Sequence, residues 1–194
     1  MITLLSKLFI KDRGNVSSPA VRRAYGMLCS LTGIFLNVLL FAFKYAAGTL
    51  AGSIAVTADA FNNLSDAGSS VITLLGFRLA AKKPDPGHPF GHGRIEYISG
   101  VAVSLVIIVV GVQLGLESVE KIRNPEPVDA SWLPMLILAA SICVKGYMYL
   151  YNRGVGRKIN SPGMQATAAD SLSDCIATMV VLVSMVFARA WNIN

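Results

Sequence analysis

Five predominantly apolar stretches of about 20 residues or more dominate this chain of 194 residues, each long enough for a helix to cross the roughly 30 Å hydrocarbon core of a bilayer. They run over about 24–46, 54–80, 95–119, 132–151 and 162–188. No water is available in hydrocarbon to satisfy a backbone N–H or C=O, so segments of this length are helices rather than open strands or loops. The fold class that follows is all-α, a polytopic transmembrane helix bundle. Composition agrees: 54% of the residues are hydrophobic and only 14% charged, against roughly 25% charged in an ordinary soluble domain.

Glycine and proline stand where these helices should stop. Gly48 and Gly52 follow the first span, Pro84, Pro86, Gly87 and Pro89 the second, Pro125 and Pro127 the third. Ser131 and Ser161 precede the fourth and fifth as N-cap residues, the latter with Pro162 at the favoured first helical position. No internal repeat is evident. Met1 to Ile10 is weakly apolar but leads into Lys11 and Arg13 without a small-residue cleavage site, so a removed signal peptide is not expected. Residues 1–23 thus read as an N-terminal segment and 24–194 as one transmembrane domain.

The net charge of +6 does not point to nucleic acid, because the basic residues lie in short segments between apolar runs with no aromatic platform beside them. Their distribution sets orientation instead. Lys7, Lys11, Arg13, Arg22, Arg23, Arg78, Lys82, Lys83, Arg94, Arg153, Arg157 and Lys158 fall on one side, and only Lys121, Arg123 and Arg189 on the other. The positive-inside rule places the twelve, and the N-terminus, in the cytoplasm, with a bacterial-type plasma membrane as the expected location. Cys29, Cys143 and Cys175 lie inside apolar runs at wide spacing and form neither a disulfide framework nor a zinc motif.

Ionised side chains inside a span carry the most information, since each costs at least about 2.5 kcal/mol at the bilayer centre on insertion scales. Asp59, Asn62 and Asp66 are spaced three and four apart on one stripe of the second span; Asp170 and Asp174 are four apart on the fifth. Asp66 and Asp174 fall near the middles of their spans, so neighbouring helices would bring their carboxylates to one depth, where a cation would offset their repulsion. Interhelical hydrogen bonding is the plain alternative. It suits Ser65, Ser69, Ser70, Ser171 and Ser173, but no span holds enough Lys or Arg to pair all four aspartates. Asp59 divides evenly between the two readings. Asn37 and Gln113 read as helix–helix contacts. Lys44, near the end of its span, is expected to snorkel to the interface, and Lys145 either snorkels or pairs with an acid.

The second constellation is the connection Asp85-Pro-Gly-His88-Pro-Phe-Gly-His92-Gly-Arg-Ile-Glu96, which holds both histidines of the chain four residues apart with a carboxylate on either side. Imidazole with carboxylate suits zinc and its transition-metal neighbours. A turn braced by Pro and Gly, with Glu96 capping the third helix, is the competing reading.

Taken in order, Gly52-Ser-Ile-Ala-Val-Thr-Ala-Asp59-Ala-Phe-Asn62-Asn-Leu-Ser-Asp66, His88-Pro-Phe-Gly-His92-Gly-Arg-Ile-Glu96 and Asp170-Ser-Leu-Ser-Asp174 resemble the cation diffusion facilitator family from about residue 20 to the end. The resemblance implies a transporter rather than an enzyme, with no cofactor beyond the metal it carries. It implies a tetrahedral transport site of Asn62, Asp66, Asp170 and Asp174, and a second site at Asp85, His88 and His92. It also implies six membrane helices, of which five are visible, followed by a cytoplasmic metal-binding domain that helps a homodimer form. The chain therefore reads as a fragment.

Zinc members of the family typically place a histidine in the paired motifs, whereas this quartet offers only oxygens. Hard oxygen donors suit Mn(II) better than Zn(II), and Asn-x-x-x-Asp with Asp-x-x-x-Asp resembles the manganese-exporting branch; iron, cobalt and cadmium stay open. The implied mechanism is alternating access, with protons taken up by the carboxylates as metal leaves. The expected partners are divalent metal ions, protons and the lipid bilayer. Two rivals are a metal-binding sensor or structural membrane subunit, and an intramembrane aspartyl protease, whose Tyr-Asp and Gly-x-Gly-Asp motifs are absent.

Overall fold

The computed structural model describes residues 6, 8–10, 14–51, 54–124 and 132–191. Five long helices account for most of them: α1 Pro19–Ala51, α2 Ile54–Ala80, α3 Ile95–Arg123, α4 Trp132–Lys158 and α5 Pro162–Trp191. The shortest have 27 residues, about 40 Å at 1.5 Å per residue, so the helices extend beyond the apolar runs that announce them. Successive helices run in opposite directions. The starts of α1, α3 and α5 therefore share one end of the bundle with the connection 81–94, called here the loop end.

Neighbours follow the order α1, α2, α3, α5, α4 and back to α1, with a thin contact between α2 and α5 across the ring. Large apolar side chains point outward, among them Leu105, Ile108 and Val112 on α3 and Val180, Val183 and Phe187 on α5. Inside lie Asn37, Asn63, Ser70, Thr73, Ser141 and Asn152, all buried. An apolar outside around a polar inside is the distribution a hydrocarbon solvent demands. Helices α1, α3, α4 and α5 are each long and apolar enough to cross a membrane. Against the expectation of five such spans, α2 falls short of that measure, because Asp59, Asn62, Asn63, Ser65, Asp66, Ser69 and Ser70 dilute its apolar character. The polar residues that point to a site are the ones that hide the span.

An apolar cluster of Tyr25, Cys29, Phe77, Met148, Tyr151, Val155 and Met164 seals the loop end of the interior. There α3 and α5 touch through their backbones: a Cβ on Gly100 would come within 3.2 Å of the Gly163 Cα, the close approach that small residues permit between membrane helices.

The turn from α4 to α5 is tight. Asn160 takes φ 49°, a left-handed conformation that asparagine tolerates better than most side chains. The Ser161 N–H donates to the Gly156 carbonyl (2.9 Å) and the Asn160 N–H to that of Arg157 (3.3 Å), which together close the helix as a Schellman motif. Ser161 Oγ then accepts the Met164 N–H at 3.4 Å, so the expected N-cap is present; Ser131 lies outside the described residues. Arg22 of α1 ties this turn down. Its Nε donates to the Ile159 carbonyl (2.6 Å) and its Nη2 to the Asn160 carbonyl (3.1 Å) and to Glu96 Oε1 of α3 (2.8 Å). Glu96 therefore serves as the partner of Arg22, and no side chain caps the start of α3 at Arg94.

Candidate metal centre

Asp66, Asp170 and Asp174 converge in the bundle, with a carboxylate oxygen from each lying within 4.8 Å of the others. The cause is local and additive. Asp66 sits near the midpoint of α2 and Asp174 near that of α5, while the four-residue step from Asp170 to Asp174 keeps both on one face of α5. Asn62 stands one turn before Asp66 and is half-buried.

Lys145, at the midpoint of α4, completes the cluster. Its Nζ lies 2.5 Å from Asp66 Oδ2 and 2.7 Å from Asp174 Oδ2, with 4% of the side chain exposed. Of the two expectations for Lys145, pairing is the one realised. Lys44 does not snorkel: it is buried and pairs with Asp59 at 2.8 Å, a tie between the far ends of α1 and α2. Asp59 thus belongs to a structural ion pair, apart from the three clustered aspartates. What the sequence alone missed was the Lys44–Asp59 pair, the identity of Lys145's two partners and the Arg22–Glu96 contact. The signal for Lys145 was present, since its depth in α4 matches that of Asp66 and Asp174 in their own helices.

Toward the loop end, a small cavity is lined by Ser30, Gly33, Ser70, Thr73, Asn152 and Thr167, among others. Ser30 Oγ, Ser70 Oγ and Asn152 Nδ2 are buried there without hydrogen-bond partners among the described residues, and Thr73 and Thr167 face each other at 3.4 Å. Ser70 and Thr73 follow Asp66 along α2, and Thr167 precedes Asp170 on α5. A trail of polar groups therefore leads from the aspartates toward the loop end.

The connection 81–94 forms a second cluster. Asp85-Pro86-Gly87-His88 is a β-turn with proline and glycine in its central positions, closed by the His88 N–H donating to the Asp85 carbonyl at 2.9 Å. The same N–H lies 2.8 Å from Asp85 Oδ1, and His88 Nδ1 lies 3.0 Å from that oxygen. A following turn through Pro89, with Gly91 at φ 77°, brings His92 Nε2 to 3.4 Å from Asp85 Oδ2. Asp85, His88 and His92 thus present ligand atoms within 4.8 Å of one another. The contacts from His88 hold the Asp85 carboxyl below the usual carboxylate range. His92 is buried with Nδ1 unpartnered among the described residues. One carboxylate and two imidazoles in mutual reach form a donor set that fits a borderline transition metal.

Residues 30–194 match the cation efflux transmembrane domain, most of the chain. The chain belongs to the cation diffusion facilitator family. Curated relatives of the chain include the manganese efflux system protein MneS of Bacillus subtilis, 33% identical over 84% of this chain and 57% of the relative. An uncharacterized transporter of Methanocaldococcus jannaschii is 31% identical over 84% of this chain and 56% of its own length. The magnetosome protein MamB of a Magnetospira species is 32% identical over 79% and 53%. The chain spans about half the length of the curated relatives it matches. Family and helices together make it part of an integral membrane protein of a transporter family, not an enzyme.

Proposed function

We propose that the protein to which this chain belongs exports divalent metal cations from the cytoplasm, with Mn(II) preferred to Zn(II), in exchange for protons. Asn62, Asp66, Asp170 and Asp174 form the transport site. The observation that carries this reading is the convergence of Asp66, Asp170 and Asp174 from two helices at mid-bundle, with their oxygens within 4.8 Å. Three carboxylates and the neighbouring amide supply only oxygen donors, which favours Mn(II) over a metal that seeks nitrogen or sulfur. Two relatives bear the name manganese efflux system protein, in line with that preference.

Asp85, His88 and His92 bind metal at the cytoplasmic mouth, with the N-terminus and the loop end inside the cell, and the polar trail past Ser70, Thr73 and Thr167 becomes the route between the two sites when the apolar seal around Phe77, Met148 and Met164 parts. Bulk water meets the loop; metal released from the quartet is replaced by protons on the carboxylates, which couples export to the inward proton gradient. The complete protein acts as a homodimer.

The test is uptake of Mn(II) and Zn(II) by inverted vesicles or proteoliposomes containing the complete protein under an imposed proton gradient. Mn(II) flux should exceed Zn(II) flux, Asn62→His should shift the ratio toward zinc, and Asp174→Ala should stop both. Zinc dominance that Asn62→His leaves untouched would refute the donor argument; normal flux in Asp174→Ala would refute the site. A sensor or structural subunit would bind metal and move none.

A further inference from the structure

Among the described residues, Lys145 is the one buried charge at the candidate transport site that cannot serve as a ligand, because an ammonium group donates three hydrogen bonds and accepts none. It comes from α4, which supplies none of the four proposed ligands. Yet it holds Asp66 Oδ2 at 2.5 Å and Asp174 Oδ2 at 2.7 Å, on two of the carboxylates proposed as ligands. We infer that Lys145 is the resident counter-cation of the transport site, displaced from Asp66 and Asp174 when a divalent metal arrives and restored to them when it leaves. This inference rests on the reading of Asp66, Asp170 and Asp174 as ligands.

Three observations support it. First, three carboxylates within 4.8 Å of one another repel strongly in a medium poor in water, and the ammonium bridges the two that come from different helices, α2 and α5. It does between metal loads what a metal would do. Second, three ionised carboxylates and one ammonium leave two net negative charges, the number one divalent cation neutralises; without Lys145 the site would carry an excess. Third, the lysine has somewhere to go. Its four-carbon stem is flexible, and Ser141, one turn before it on α4, is buried with an Oγ that has no hydrogen-bond partner among the described residues.

A built-in competitor lowers apparent metal affinity by the fraction of time the oxygens are free of it, and it speeds release by refilling the site. The measurement is Mn(II) binding by the complete protein in detergent at fixed pH, followed by loss of the free-ion EPR signal, with His88 and His92 replaced by alanine to remove loop binding and the transport site read as the component of binding lost in Asp66→Ala, which sets aside metal held by the rest of the protein. Lys145→Gln keeps a neutral donor to the aspartates and should bind Mn(II) about tenfold tighter or more, the gain expected if the oxygens are free no more than about a tenth of the time; Lys145→Arg should not. In vesicles the same Lys145→Gln should show a lower KM and a lower maximal rate. Unchanged or weaker binding in Lys145→Gln, with binding abolished in Asp174→Ala, overturns the counter-cation and leaves the site standing. Undiminished binding in Asp174→Ala overturns the site reading itself and the inference with it. If Lys145→Gln is not recovered folded, it is purified with Mn(II) present throughout. Recovery then supports displacement, since a bound metal has replaced the ammonium; failure even then makes Lys145 a permanent structural tie and overturns the inference.

Discussion

Replacing Arg22 by alanine should cost about 3 to 4 kcal/mol of stability, more than most single changes at a helix end. Arg22 joins three elements at the loop end through Glu96, Ile159 and Asn160. Exposed ion pairs contribute about 0 to 1 kcal/mol, whereas breaking a buried pair costs about 3 to 5. This pair lies between those limits, with Arg22 31% exposed and Glu96 only 6%, so losing the arginine and stranding the glutamate costs about 2 kcal/mol. The two carbonyls of the α4–α5 turn lose a donor each, at about 1 kcal/mol apiece or somewhat less. Arg22→Lys keeps the charge but cannot reach three acceptors, and should lose about half as much. The assay is unfolding of the purified protein by sodium dodecyl sulfate in mixed micelles, followed by far-ultraviolet circular dichroism, for Arg22→Ala, Glu96→Gln and the double variant. The cycle should return a coupling of about 1 to 2 kcal/mol. A loss below about 1 kcal/mol in Arg22→Ala, or additivity within about 0.5 kcal/mol, would refute the reasoning.

Three further outcomes are expected. Asp59→Ala strands Lys44, whose side chain is 2% exposed, and should destabilise the fold by about 2 to 4 kcal/mol in the same unfolding assay; adding Lys44→Met should restore most of it, with Mn(II) affinity unchanged throughout. Gly100→Val forces a side chain against the Gly163 backbone, whose Cα lies 3.2 Å from where a Cβ would stand, and should cost about 1 to 3 kcal/mol where Gly111→Val, with open space at the same test, costs little. At the loop, His88→Ala with His92→Ala should abolish the loop's metal binding in calorimetry yet leave measurable flux. Because Asp85 has a lowered pKa in the fold, its charge favours the folded turn at any pH above the ordinary carboxylate value of about 4, and that contribution fades only as the pH falls through the lowered one. Carboxyl carbon NMR should therefore show Asp85 still mostly ionised at about pH 4, where an ordinary carboxylate is about half protonated; half protonation there would refute the lowered value.

Much of the candidate site was legible because its signals are local. An apolar run of fixed length means a spanning helix whatever its neighbours, and a carboxylate in the middle of such a run is costly wherever it ends up, so Asp66, Asp170 and Asp174 stood out before any contact was known. The loop cluster announced itself through its residue types, both histidines four apart with a carboxylate on either side, while Pro86, Gly87 and Gly91 pointed to a competing braced turn; the turn is present and brings Asp85, His88 and His92 together within eight residues. Even the tight α4–α5 turn was half legible: Ser161 and Pro162 marked the start of α5, while the role of Asn160 in closing α4 emerged only with its left-handed backbone.

The charge partners were a different matter. Sequence left Lys44 free to snorkel and Lys145 evenly divided, because 79 residues separate Lys145 from Asp66 and 74 separate Arg22 from Glu96, and helical periodicity carries no information over such distances. Only the order of helices around the ring decides which cation meets which carboxylate. With α4 beside α5 and α2 facing α5 across the interior, one lysine reaches aspartates of two helices, and with α1 beside α2 another reaches Asp59. The amino-acid sequence by itself determined that Asp66, Asp170 and Asp174 sit inside spans at a cost and at similar depth; the tertiary structure decided which lysines are buried to offset that cost, because Coulomb attraction depends on distance in space and is indifferent to distance along the chain.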